Sequence, residues 1–188
     1  MNPNVYGGLG NSLCGLAIIK NDEQLYIECF YNYKKAVELN SDIDFIYNSW
    51  GNAIYELAKI RNDERLYLDS FEKFELAIKF YPDDILAYYF WGNALFYFAG
   101  IKRDKKLYYE AVEKFEKAAE LDADEKEKID LYNMACSYAI VDEKIKALNV
   151  LERMLKRGYV KVDYVLSDED WKKYKDDDDF KNLVNKFR

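Results

Sequence analysis

The sequence predicts an all-α fold of stacked helical hairpins closed by a helical cap, and three features carry that prediction. The chain repeats itself every 41 residues, a period in the range that marks stacked repeats. Within each copy, apolar residues return at helical spacing. The 188 residues hold only two prolines and no stretch rich in Gly, Pro or Ser, so no flexible linker sets off a second domain. The expected organisation is one domain, 1–188, with hairpins at about 3–41, 42–82, 83–123 and 125–157 and a cap at about 164–188.

The period is legible residue by residue. Gly10, Gly51 and Gly92 stand 41 apart, each followed by asparagine: Asn11, Asn52 and Asn93. Ile19, Ile60 and Ile101 follow, then Asp22, Asp63 and Asp104, then Leu-Tyr pairs at 25, 66 and 107. Tyr33, Phe74 and Phe115 and then Ala36, Ala77 and Ala118 complete the register.

In the first copy, Gly7, Gly8 and Gly10 make a weak first helix. In the second, Tyr47, Trp50, Gly51, Ile54 and Leu57 trace one helix, and Tyr67, Phe71, Phe74, Ala77, Ile78 and Tyr81 trace its partner. Asp22, Asp63 and Asp104 each stand where a side-chain oxygen caps the second helix. Pro82 and the two aspartates after it end one pair and begin the next. Glycine within a helix costs about 1 kcal/mol relative to alanine, so its return at 51 and 92 predicts close approach of the partner helix.

The fourth copy is shorter, with Ala135 and Ala147 twelve residues apart. In the tail, Ser167 with Asp170 resembles a capping box. Trp171, Phe180, Leu183, Val184 and Phe187 are expected to lay an apolar stripe over the last repeat.

The second copy, with Tyr47, Trp50-Gly51, Ile54, Phe74, Ala77 and Pro82, resembles the tetratricopeptide repeat. Ser70 stands where that family has alanine, and Ala111 restores it in the third copy. The resemblance covers Asp42 to Leu155 well; the first copy is weaker, with Ser41 in place of proline. It implies a right-handed superhelical solenoid. The family repeat is 34 residues, and the extra seven here fall between Ala58 and Asp69, where they read as longer helices, about 10 Å of added rise. A HEAT-type repeat also accommodates a 41-residue period, without predicting the Gly, Ala, aromatic, Ala and Pro positions.

Composition removes whole function classes. There is no histidine, which takes away the commonest general base and most transition-metal sites. A net charge of −7 disfavours nucleic acid, whose binders need a basic stripe. No apolar run is long enough to span a bilayer, and no basic leader precedes the apolar part of the N-terminus, so a cytoplasmic protein is expected. Cys14, Cys29 and Cys136 are read as small core residues in a reducing compartment.

Local candidates for chemistry have simpler readings. Tyr174 to Phe180 lacks the glycine and alternation of a calcium loop and reads as an acidic helix start. Tyr6 to Ser12 lacks the ending of a phosphate loop. Glu72, Glu75, Glu113, Glu116 and Glu120 read as solvated faces with lysine neighbours. No enzyme activity and no cofactor are expected.

The resemblance implies a concave groove lined by the first helix of each pair. It assigns to that groove Phe45, Asn48, Asn52, Tyr55 and Glu56 in the second copy and Leu86, Tyr89, Asn93, Phe96 and Tyr97 in the third. The first copy supplies Asn4, Asn11 and Cys14, and the fourth Tyr132 and Cys136. A ladder of Asn11, Asn52 and Asn93 offers donors and acceptors to a peptide backbone. The cations of the family's carboxylate clamps are missing: the fifth positions hold Gly7, Asn48 and Tyr89. The expected function is a scaffold or adaptor holding a peptide or helix. Self-association through aromatic surface and a peptide-sensing regulatory module are the alternatives.

Overall fold

The computed structural model describes residues 2–40, 46–123, 129 and 131–188. The described residues form ten α-helices and one 3-10 helix, with no strand among them. They divide into two compact units, Met1–Ala94 and Leu95–Arg188.

In the first unit, α1 (Pro3–Lys20) folds back on α2 (Glu23–Leu39), and α3 (Ile46–Arg61) folds back on α4 (Glu64–Phe80). The unit ends within α5 (Ile85–Lys102). The turns after α1, α3 and α5 use a single device. Asn21, Asn62 and Arg103 take left-handed φ values of 53, 50 and 51°. The aspartate that follows sends its N–H back to Ala17, Ala58 or Ala99 at 3.2 Å, closing the helix behind it. Its carboxylate then accepts the amide of Gln24, Arg65 or Lys106 at 2.9 Å, opening the helix ahead. One aspartate therefore ends one helix and starts the next. With the turn this short, the seven extra residues are helical: α1 to α6 run 16 to 18 residues each.

Gly10 and Gly51 have the packing role that the period predicts. A Cβ on Gly10 would lie 2.7 Å from the Tyr33 ring, and one on Gly51 would lie 2.8 Å from the Phe74 ring. Tyr33, Phe74, Ala36 and Ala77 are all buried. Successive hairpins meet through a second repeated contact, Trp50 on Tyr33 at 5.9 Å and Trp91 on Phe74 at 6.4 Å.

Cys14 and Cys29 are joined by a disulfide between α1 and α2, with Cα atoms 5.4 Å apart. Both were expected as free core thiols; they are buried, but bonded. The expectation failed because three cysteines without motif spacing do not reveal which two face each other. The antiparallel hairpin brings residues 14 and 29 opposite each other, just as it brings Gly10 opposite Tyr33. Cys136 is the free cysteine, and it is buried.

The second unit continues α5 into α6 (Lys105–Leu121), α7 (Tyr132–Ile140) and α8 (Lys144–Arg157). The cap follows as α9 (Val162–Ser167), the 3-10 helix Glu169–Tyr174 and α10 (Asp178–Lys186). Trp171, Phe180 and Val184 are buried, and Trp171 stacks on Phe180 at 5.5 Å. The residue that caps the 3-10 helix is Asp168, one place after the expected Ser167. Asp168 accepts the amide of Asp170 at 3.0 Å, whereas the Ser167 hydroxyl donates to the Tyr164 carbonyl. In the aspartate run, Asp177 caps α10 through the amides of Asp179 and Phe180, and Lys144 pairs with Asp177 and Asp179.

Candidate functional site

In the first unit the asparagine position of the repeat lies on α1 and α3. Asn11 is exposed, and its Oδ1 accepts the Tyr33 hydroxyl at 2.7 Å, which leaves its amide N–H groups facing outward as donors. Asn52 is half-buried. Its α4 neighbour at the position of Tyr33 is Phe74, which has no hydroxyl to hold it. Asn93 differs, being 8% exposed and engaged within the chain. The ladder is therefore two rungs long in this unit rather than three.

Several other groove residues are turned to packing. Asn48 is buried and donates to Asp84 at 2.7 Å, tying α3 to the start of α5. Tyr55 is buried, pairs with the Tyr67 ring at 6.2 Å and lies under Lys59. Glu56 is half-buried and pairs with Lys59 at 2.8 Å. Leu86 and Tyr89 are half-buried, with Tyr89 against the Phe90 ring. Phe45 lies outside the described residues. Asn4 is exposed and hydrogen-bonded to the Asn2 cap. The periodicity placed Asn48 and Tyr55 on the first helix but could not show that longer helices bury them.

In the second unit, Phe96 and exposed Tyr97 pair edge-on, and Phe96 also meets Tyr108 at 5.6 Å. Tyr108 forms one wall of an open cleft of about 440 Å³, with Ile140, Glu169, Asp170, Lys172 and Lys173 around it. The fourth-copy groove residues are not open surface. Tyr132 donates to Asp168 at 2.7 Å and accepts the Trp171 indole N–H at 3.1 Å. Cys136 lies in the same cluster, its thiol 3.9 Å from the Asp168 carboxylate. The chain's own cap covers both.

Sequence reasoning missed Asp168 and Asp170 as partners of this cluster, although two acids before the buried Trp171 were a signal. Burial pushes the Cys136 thiol well up, with the charges of Asp170 and Asp168 adding to it. The group is a neutral thiol at physiological pH, the opposite of an activated nucleophile. Burial, reinforced by Asp168, also raises the Asp170 carboxyl to about 6. A carboxyl whose folded pKa is raised binds its proton more tightly in the folded state, so stability falls as pH rises from about 4 to about 6. Asp170→Asn therefore flattens stability across that window in thermal melts. It raises the melting temperature at pH 7 by ~2–4 °C if solvent screening leaves about 1 kcal/mol of the penalty. An unchanged slope between pH 4 and 6 would refute the assignment. Asp142 behaves in the opposite sense: hydrogen bonds from Lys105 and Lys173 lower it to about 2, so its contribution is lost only as pH falls below the ordinary carboxylate range.

No protein-family model matches the chain, and no curated protein is similar to it in sequence. Among the described residues, no helix is long and apolar enough to cross a membrane.

Proposed function

We propose that the chain is an extended tetratricopeptide-like array that acts as a non-enzymatic scaffold or adaptor, holding an extended peptide or a helix on the face formed by α1 and α3. The observation that carries this reading is the pair Asn11 and Asn52. The two occupy the same position in successive hairpins, Asn11 exposed with its Oδ1 held by Tyr33 and its N–H groups not used in that bond, and Asn52 half-buried. Asparagine offers donor and acceptor together, which suits the main chain of a partner whatever its side chains. The absence of histidine and the neutral, buried Cys136 support a non-enzymatic role. A cytoplasmic location was expected from the lack of a spanning run or basic leader and from free thiols; the Cys14–Cys29 disulfide removes the last of these supports and fits an oxidising compartment better.

The test is selection of binders from a random peptide library, followed by titration of the selected peptide. Asn11→Lys with Asn52→Lys is expected to weaken binding ~10- to 100-fold, as loss of two desolvated hydrogen-bonding groups implies, while the variant still melts cooperatively, ~2–4 °C lower for loss of the Tyr33–Asn11 hydrogen bond. Equal affinity in the wild type and this variant would move the function to another surface.

A further inference from the structure

The outward face of α1 carries large apolar side chains in a helical stripe. Val5, Leu9, Leu16 and Ile19 are 65, 48, 38 and 83% exposed, with Ser12 between them. One repeat later, Ile46, Trp50, Ala53 and Leu57 stand at the positions of Val5, Leu9, Ser12 and Leu16, and they dock on the first hairpin. Ile46, Ala53 and Leu57 are 2, 1 and 3% exposed and join its core, while Trp50 packs on Tyr33. Two repeats later Ala87, Trp91 and Ala94 are buried again, with Trp91 on Phe74. The repeat thus identifies the stripe on α1 as a hairpin-stacking face, bare in the first copy and covered in the next two.

We propose that this face docks a second copy of the chain, α1 against α1, about a two-fold axis near Ser12. Pro3 to Ile19 contains no charged residue in a chain of net charge −7. A two-fold contact here therefore brings no like charges together, whereas most other helical faces of the chain would. The stripe is self-complementary: antiparallel pairing sets Val5 against Ile19 of the other copy and Leu9 against its Leu16, the pattern an isologous contact requires. Ser12, at the centre, already spends its hydroxyl on the Gly8 carbonyl at 3.0 Å, so burying it strands no donor. Beside the stripe, Gly8 and Gly15 have open space where a Cβ would stand, which lets a helix approach closely. A head-to-tail stack is closed off. The receiving face of the fourth hairpin, where Tyr132 and Ala139 stand at the positions of Gly7 and Cys14, is occupied by Trp171 and Tyr174 of the cap. The assembly is then a closed dimer rather than a filament.

One helix face is small beside an interface of about 800 Å² per partner, so the dimer is weak, with a dissociation constant in the ~10 µM range. Sedimentation equilibrium of the full chain tests it. The mass is expected to rise from 22.3 kDa toward twice that value with concentration. Leu9→Lys with Leu16→Lys stays monomeric while melting cooperatively. Ser12→Cys gives a covalent dimer on mild oxidation, and Lys34→Cys on α2 does not. A monomer at every concentration would overturn the proposal and leave the face to a different protein. So would a dimer that survives the lysine substitutions, or one that Ser12→Cys fails to cross-link.

Discussion

Gly51→Leu lowers the melting temperature by ~6 °C or more, while Gly15→Ala raises it by ~2–4 °C. The two glycines sit in neighbouring helices and have opposite reasons for being there. At Gly51, even a Cβ would stand 2.8 Å from Phe74, closer than van der Waals contact allows. Phe74 is fully buried, and Trp91 stacks on it at 6.4 Å, so the ring has little room to retreat. Leucine gains about 1 kcal/mol of helix propensity over glycine, but it forces α3 and α4 apart. Overpacking costs about 1–3 kcal/mol and occasionally more; a fully buried ring stacked on Trp91 and a whole isobutyl group to place put Gly51→Leu at or beyond the top of that range. Gly15 faces open space, with nothing within 4 Å of the point where a Cβ would stand, so alanine keeps the propensity gain undiminished. Calorimetry of the two variants in dilute solution decides the matter. If Gly51→Leu melts with the wild type, the close contact between α3 and α4 is misplaced.

Much of this architecture was legible because a period turns one observation into several. The glycine and aromatic positions predicted a close contact, and the structure puts Tyr33 against Gly10 and Phe74 against Gly51. The capping aspartates were legible because a short acidic side chain before a periodic apolar run has a single common use. The left-handed residue before each aspartate was only partly so. Asn21 and Asn62 tolerate that conformation, but Arg103 adopts it at 51° with no local signal, held by the same backbone bond to Ala99. The groove was the least legible part. A repeat position states which helix a residue is on, not how deeply neighbouring helices bury it, so Asn11 is exposed while Asn48 and Asn93 are buried. The cap's hold on Tyr132 and Cys136 depends on residues 32 to 39 positions away, and no periodicity reports such contacts.

Reducing the Cys14–Cys29 bond is expected to lower the melting temperature of the wild type by ~6–12 °C. The separation of 15 residues corresponds to about 3 kcal/mol of loop-closure entropy in the unfolded chain, and a chain of this size loses ~2–4 °C per kcal/mol. The position explains why the first copy benefits from a covalent tie. In the second copy the equivalents of Cys14 and Cys29 are Tyr55 and Ser70, both buried, where a large ring fills the space between the helices. The first copy lacks that ring, and α1 contains four glycines, two of them with no packing neighbour for a side chain. Its helix is intrinsically weak, and the disulfide supplies what propensity and packing do not. Cys14→Ala with Cys29→Ala should reproduce the loss without reductant, and Cys136→Ala should leave the effect of reductant intact. Thiol titration in denaturant separates the possibilities directly: Cys136 alone reacts before reduction and all three cysteines after it. Three reactive thiols in unreduced protein isolated from its native source would return Cys14 and Cys29 to the role of small core residues and restore the reducing compartment first expected for this chain.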